Sequence, residues 1–293
     1  MMGKHWCAAL CIAALVVFAA TLAPAAEPET VPVGDAGNKA DTTGFGAVDY
    51  AYRIGKYEVT NEEYCEFLNA VAKKDPHSLY DGRMGGRDDR SGEAWGGIKR
   101  SGSYGSYTYS VRDGMGKKPV GYVTFESCAR YANWLTNGRG DGDTDKGAYA
   151  FRFGSLTIPD HAELAKKEGV TWVVASENEW YKAAYYDPDK AGGGYWKYPD
   201  GSDTPPAANL GTNHPSEVGS YSAVSPYGTY DQGGNVWEYN DSRRGDKFGL
   251  RGGSFYINDH AGYMRSVSRY DVLSAKWPNY GFRVVALGSE KSD

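Results

Sequence analysis

Beyond residue 26, the apolar positions of this chain fall in short periodic runs separated by glycine-rich stretches. Residues 53–59, RIGKYEV, alternate and predict a strand. The next segment places Tyr64, Phe67, Leu68 and Val71 at i, i+3, i+4 and i+7, one face of a helix. Thr60 caps that helix, Glu63 completes a capping box, and Asp75–Pro76 ends it. A second helix starts after Thr124, with Phe125, Cys128, Ala132 and Leu135 as its apolar stripe and Gly138 as its stop. A third follows the strand-like TWVV; Ser176 and Glu179 form its capping box, and Asp187–Pro188 closes it.

Residues 81–118 are rich in Gly, Ser, Arg and Tyr and read as an insertion of loops. Within it, SYTYSV at 106–111 alternates and is expected to pair with Gly97–Ser101 across a glycine turn. After Pro199, turns and short strands dominate and helix is scarce. The chain therefore reads as α+β: a few helices packed on irregular, loop-dominated sheet. Residues 27–287 read as one domain and 288–293 as a polar tail.

The first 26 residues change the picture of where the chain works. A basic start at Lys4 leads into an apolar run from Cys7 to Leu22 and then small residues, the pattern of a cleaved secretory signal. The expected mature protein is exported: secreted, periplasmic or at the cell surface. It has no second long apolar stretch, so it is not expected to span a membrane. With 32 basic and 37 acidic residues the charge is −5, and no basic block offers itself to nucleic acid. Cys65 and Cys128 remain after the signal, either as a disulfide or as buried thiols.

Candidate chemistry is sparse. Asp141, Asp143 and Asp145 resemble the start of a calcium loop, but the twelfth position is Arg152, and a solvated acidic turn is the competing reading. In DQGGNVWEY, Asn235 and Glu238 follow two glycines and offer oxygen ligands; a turn residue and a salt-bridge partner explain them equally. Ser254, Asp259 and His260 lie close in sequence, although triads are made in space. The histidines show no HxH or HxxxH spacing.

Six motifs in order bring in a family. YEVTNEEY, PVGYVTFESCARYANWL, ASENEWYKAA, YGTYDQGGNVWEY, LRGGSF and GFRVV together resemble the formylglycine-generating enzyme, or sulfatase-modifying factor, family over roughly residues 30–287. The resemblance implies a loop-rich variant of the C-type-lectin fold with structural calcium. One implied calcium site uses Asn235 and Glu238, with backbone oxygens near Gly233, Gly234 and Val236. The other begins at Asn209 and Leu210, but the segment after it lacks the family's aspartate.

Catalytic members oxidise a sulfatase cysteine to formylglycine with copper held by two cysteines after the RGGS motif. Here the matching positions are Ile257 and a residue near Gly262, and no cysteine follows Cys128. Neither side chain offers copper(I) the soft donor it prefers. Copper is therefore not expected, and the leading expectation is a calcium-stabilised binding or structural protein. The alternative is an enzyme using the same cleft with chemistry independent of the cysteine pair. The expected ligand cleft comprises Arg251, Ser254, Tyr256, Asn258, His260, Tyr263, Arg265 and Arg269, with a protein, peptide or glycan as partner.

Overall fold

A computed structural model describes residues 27–86, 92–256 and 258–289. The expected signal segment, Ile257 and the end of the tail lie outside the described residues. The first half contains β1 (Thr30–Val33), β2 (Tyr52–Gly55), α1 (Asn61–Val71), β3 (Ile98–Ser101), β4 (Thr108–Val111) and α2 (Phe125–Thr136). Next come β5 (Ala150–Arg152), β6 (Ser155–Thr157), α3 (His161–Ala165), β7 (Thr171–Val174), α4 (Glu177–Tyr185), β8 (Tyr186–Asp187) and β9 (Gly194–Tyr195). The last part holds five strands and one 3-10 turn (Ala261–Met264): β10 (Trp237–Arg244), β11 (Lys247–Arg251), β12 (Tyr270–Leu273), β13 (Tyr280–Phe282) and β14 (Val284–Leu287).

Local signals placed the helices well. Thr60 and Glu63 form the expected reciprocal capping box, and so do Ser176 and Glu179. Tyr64, Phe67 and Leu68 are fully buried, and the stripe of α2 is buried throughout. The strand before α1 is shorter than expected, ending at Gly55. β3 and β4 pair antiparallel from Ile98↔Val111 to Ser101↔Thr108, as the alternation in SYTYSV required.

Two four-stranded sheets organise the rest, in the orders β1-β2-β14-β7 and β12-β11-β10-β13. β13 and β14 run almost continuously in sequence but belong to different sheets, with Arg283 between them. Aromatic rings fill the space where helices meet sheets. Phe125 of α2 stacks on Phe248 of β11 at 4.0 Å, and Tyr131 meets both Tyr64 and Phe282 within 6.0 Å.

The short α3 escaped the periodicity reading because five residues span barely more than one turn. It presents His161, which is buried between two carboxylates. Nδ1 lies 2.9 Å from Glu179 Oε2, and Nε2 lies 2.7 Å from Asp241 Oδ2. The second contact is an ion pair rather than an aligned hydrogen bond. Burial alone lowers the imidazole pKa, but Glu179 and Asp241 outweigh it and hold the ring well above the usual histidine value. A raised folded pKa gives stability that is fully present below about pH 6.5 and is lost as pH rises through the folded value. The urea midpoint of the protein is therefore expected to fall as pH rises above about 6.5, while His161→Gln starts lower and shows a flatter profile over that interval. A wild-type midpoint that rises over that interval contradicts the assignment.

Candidate functional site

The sheet β12-β11-β10-β13 carries an open cleft of about 230 Å³ on one face. Trp237, Leu250, Tyr270, Val272 and Tyr280 come from its strands; Tyr256, Asp259, Tyr263, Trp277 and Asn279 come from the loops that cover it. The chain reaches those loops through Gly252 and Gly253, at φ +103° and +80°. Side chains are disfavoured at such angles, and a Cβ on Gly253 lies 3.1 Å from Tyr263. That turn buries Ser254, whose Oγ donates to Asp259 Oδ2 at 2.6 Å and accepts from Asn279 Nδ2 at 2.9 Å. Asp259 is thereby fixed at the cleft. Its pKa is raised by burial, against the pull of Ser254 and of the Trp237 indole.

Only part of the expected cleft assembles here. Tyr256 and Tyr263 line it, and Ser254 supports it from below. Asn258 is exposed. His260 stacks on Tyr263 at 4.2 Å, and its Nδ1 accepts from the Gly262 amide. It therefore caps a turn, and makes no triad with Ser254. Arg251 and Arg269 are corrected: both point into the protein. Arg251 Nε donates to Glu177 at 2.8 Å and its Nη1 to the carbonyls of Ser266 and Ser268. Arg269 Nε donates to the same Glu177 at 2.7 Å, and its Nη1 pairs with Asp271. Arg265 is half-buried, with Nε unpartnered, and does not line the cleft. Trp277, Asn279 and Tyr280 were missed because they arrive from a later segment; the aromatic run before GFRVV was their only signal.

A second constellation lies where the two sheets meet. Arg283 grips Glu238 bidentately, Nε to Oε2 at 2.6 Å and Nη2 to Oε1 at 2.7 Å, and Trp180 Nε1 adds a third bond at 2.8 Å. The remaining guanidinium hydrogens go to the carbonyls of Gly55, Lys56 and Tyr230. Asp231 and Glu58 are buried beside this pair. Asp231 accepts from the Gly219 amide at 2.6 Å, and burial pushes its pKa up to about 6. Both oxygens of Glu58 are buried without a partner. Burial first, then repulsion from Asp231 and Glu238, push its pKa well above the usual value, and Arg283 opposes them. Three buried carboxylates thus face one guanidinium. The sequence reading did not single out Glu58, although it sits in the YEVTN motif.

Asn235 adopts φ +55° beside Gly234 at +92°, so the loop before β10 is tightly coiled. Its Oδ1 accepts from Asn209 Nδ2 and the Ser216 amide, both at 3.1 Å, while its buried Nδ2 has no partner. Asn209 also donates to the His214 carbonyl at 3.0 Å and closes its own turn, while Leu210 packs near Gly253. Asp143 and Asp145 pair with Lys146 and Arg130, as a solvated acidic turn does.

A family profile described as the sulfatase-modifying factor enzyme 1-like domain matches residues 32–287. The chain belongs to this sulfatase-modifying factor family. Hercynine oxygenase from Mycolicibacterium smegmatis is 27% identical over 197 residues, covering 66% of this chain and 37% of that protein. This chain thus spans little more than a third of that relative. Among solved structures, CarF is similar at a TM-score of 0.54 and 20% identity, over 88% of this chain and 98% of that one. PvdO from Pseudomonas aeruginosa aligns at a TM-score of 0.49 and 17% identity, over 88% and 92%. The fold is that of the sulfatase-modifying factor family, with few helices and small sheets. Both described cysteines of this family member are buried and free, Cys65 on α1 and Cys128 on α2. Burial pushes the Cys65 thiol up to about 11 and Cys128 well above its usual value, so neither is a ready thiolate. Among the described residues, no helix is long and apolar enough to cross a membrane.

Proposed function

We propose that this sulfatase-modifying factor domain is an exported, calcium-stabilised binding module whose ligand seats in the aromatic cleft, without thiol-dependent oxidation. The observation that carries this reading is the lining of the cleft: among the described residues, six aromatic rings, two aliphatic side chains, Asp259 and Asn279, with no sulfur. Such a mostly apolar hollow with a few fixed polar groups is a binding site by construction. Arg251 and Arg269, expected in this cleft, are paired with Glu177 instead, so a neutral or positive group of a peptide, a protein surface or a glycan suits it better.

Calcium fits the second constellation. Among the described residues no group of three or more His, Cys, Asp or Glu side chains converges as a metal site, so the fit depends on Glu58, Glu238 and backbone oxygens. Glu58 supplies two unpartnered oxygens, and Glu238 Oε1 accepts from Arg283 Nη2. With backbone oxygens of Gly233, Gly234 and Val236 they would make the hard-oxygen cage that calcium prefers. With Glu58 and Asp231 both ionised, the three carboxylates and one guanidinium would carry two excess negative charges, which one Ca²⁺ would balance. The ion's contribution there is structural: it keeps Glu58 ionised and ties the loop before β10 to the link between β2 and α1.

Metal analysis of the purified mature protein is expected to find about one calcium per chain and no stoichiometric copper, with calcium lost in Glu58→Gln. The same material is expected to leave a sulfatase-type cysteine peptide unchanged under oxygen; conversion of its thiol to an aldehyde would overturn the reading. A second reading, an enzyme working in the same cleft, draws on the relationship to hercynine oxygenase. Oxygen uptake dependent on an added small molecule, and lost in Tyr256→Phe or Tyr263→Phe, would favour it.

A further inference from the structure

Two hairpin tips leave the molecule side by side. β5 and β6 pair from Ala150↔Thr157 to Arg152↔Ser155, so Phe153 and Gly154 alone make the turn. β10 and β11 close at Arg244↔Lys247 over Gly245 and Asp246. The tips are neighbours, because Phe153, Gly154 and Leu156 share an open hollow of about 320 Å³ with Arg243 and Phe248. Both project: a Cβ on Gly154 or on Gly245 meets nothing within 4 Å. Phe153 is the anomaly. Its φ is +50° and that of Gly154 is +79°, two successive left-handed residues as a type I′ turn requires. The first of these positions suits Asn, Asp or Gly, and a bulky side chain there is an outlier. The ring gains no packing in return, since it is fully exposed (109%). Single apolar residues are ordinary on a surface, but not where the backbone itself disfavours them.

The surroundings of the ring are basic, in a chain of net charge −5. Arg152, Arg243, Arg244 and Lys247 are exposed at the two tips, against one carboxylate there, Asp246. Asp246 lies 3.9 Å from Arg243. Asp271 of β12 lies 3.5 Å from Arg244, but it also pairs with Arg269. Glu126 borders the hollow, where its Oε2 accepts from Ser274. A single aromatic ring offers roughly 150–250 Å², far short of the about 800 Å² per side of a standard protein interface. A bilayer demands no complementary shape. An apolar knob enters the acyl boundary while arginine and lysine stay with charged headgroups. Two-residue turns are already ordered, so insertion fixes little further backbone.

We infer that the paired tips dock this protein on an anionic membrane surface, with Phe153 entering the lipid and Arg152, Arg243, Arg244 and Lys247 facing its headgroups. The inference goes beyond the binding-module reading and uses none of the residues that line the aromatic cleft. The docking is peripheral and reversible, because one ring and a few charges hold it.

The test is flotation of the full mature chain with vesicles of phosphatidylcholine alone and of phosphatidylcholine mixed with phosphatidylglycerol. The mixed vesicles are expected to bind it roughly tenfold more tightly or better, and salt at about 0.5 M to weaken that binding by screening the exposed charges. Phe153→Asn is expected to lose roughly tenfold or more on the mixed vesicles while its urea midpoint rises, because Asn-Gly suits the turn better. Phe153→Leu keeps most of the binding, and Arg244→Gln with Lys247→Gln removes the preference between the two vesicles. A chain that floats with neither overturns the inference, as does binding unchanged in Phe153→Asn. Equal affinity for both compositions overturns the anionic assignment. If no vesicle is bound and Phe153→Asn instead abolishes self-association in sedimentation, the knob serves a second copy of this chain and the lipid assignment falls.

Discussion

Arg283→Met is expected to leave the protein largely unfolded in conditions where the wild type is folded. Met matches the length of the stem but removes the guanidinium that faces Glu58, Asp231 and Glu238. Breaking a buried ion pair by deleting one partner costs roughly 3–5 kcal/mol, because the other charge stays buried and uncompensated. That is a large part of the ~5–15 kcal/mol that holds a typical domain together. The side chain also satisfies the carbonyls of Gly55 and Tyr230, which lose their donors in the variant. Arg283→Lys restores the charge but not the two-point grip, so it should recover only part of the loss. Urea unfolding measures both; an Arg283→Met protein within about 1 kcal/mol of wild type would show that the cluster does not hold the sheets together.

The second large effect centres on Glu177. Arg251 and Arg269 reach it from different elements, at 2.7 Å each, and both are almost wholly buried. Glu177→Ala strands two guanidinium groups at once, with Asp271 left to pair Arg269 and two carbonyls left to Arg251. A loss of about 3–5 kcal/mol is expected. Glu177→Gln retains hydrogen bonds and should lose less. The consequence extends to the cleft, because Arg251 holds Ser266 and Ser268, beyond the loop that carries Tyr256, Asp259 and Tyr263. Limited trypsin digestion should therefore cut Glu177→Ala at Arg265 or Arg269 faster than wild type, before global unfolding. Resistance equal to wild type argues that the loop is held by something else.

What could be read in the sequence was mostly local. Capping boxes, helix stripes and the TWVV strand depend on neighbours within a few residues, and they appeared where expected. The family motifs reached further because they record long-range packing without explaining it. What failed was the assignment of side chains to inside or outside. Arg251 and Arg269 lie in a loop-rich stretch where a ligand-facing arginine and a structural one look alike. The difference is Glu177, 74 and 92 positions away. Glu58 was invisible for the same reason: a glutamate at a strand end is ordinary until Asp231 and Glu238 are placed beside it. The cleft was half-legible, since the loop after Ser254 supplied Tyr256 and Tyr263 but gave no hint of Trp277 and Tyr280 closing the other side.

The position of β14 has a bearing on biosynthesis. It lies between β2 and β7, pairing Val285 with Ile54 and Val284 with Val174. Until residues 284–287 have been synthesised, the amino-terminal strands have no central member to join and must wait with open edges. Contacts that link the ends of a chain are slow to form, because a long loop has to close before any of them contributes. The first sheet is thus completed late, only after residues 284–287 have emerged, and until then the chain is a natural client for holding factors that mask unpaired strands.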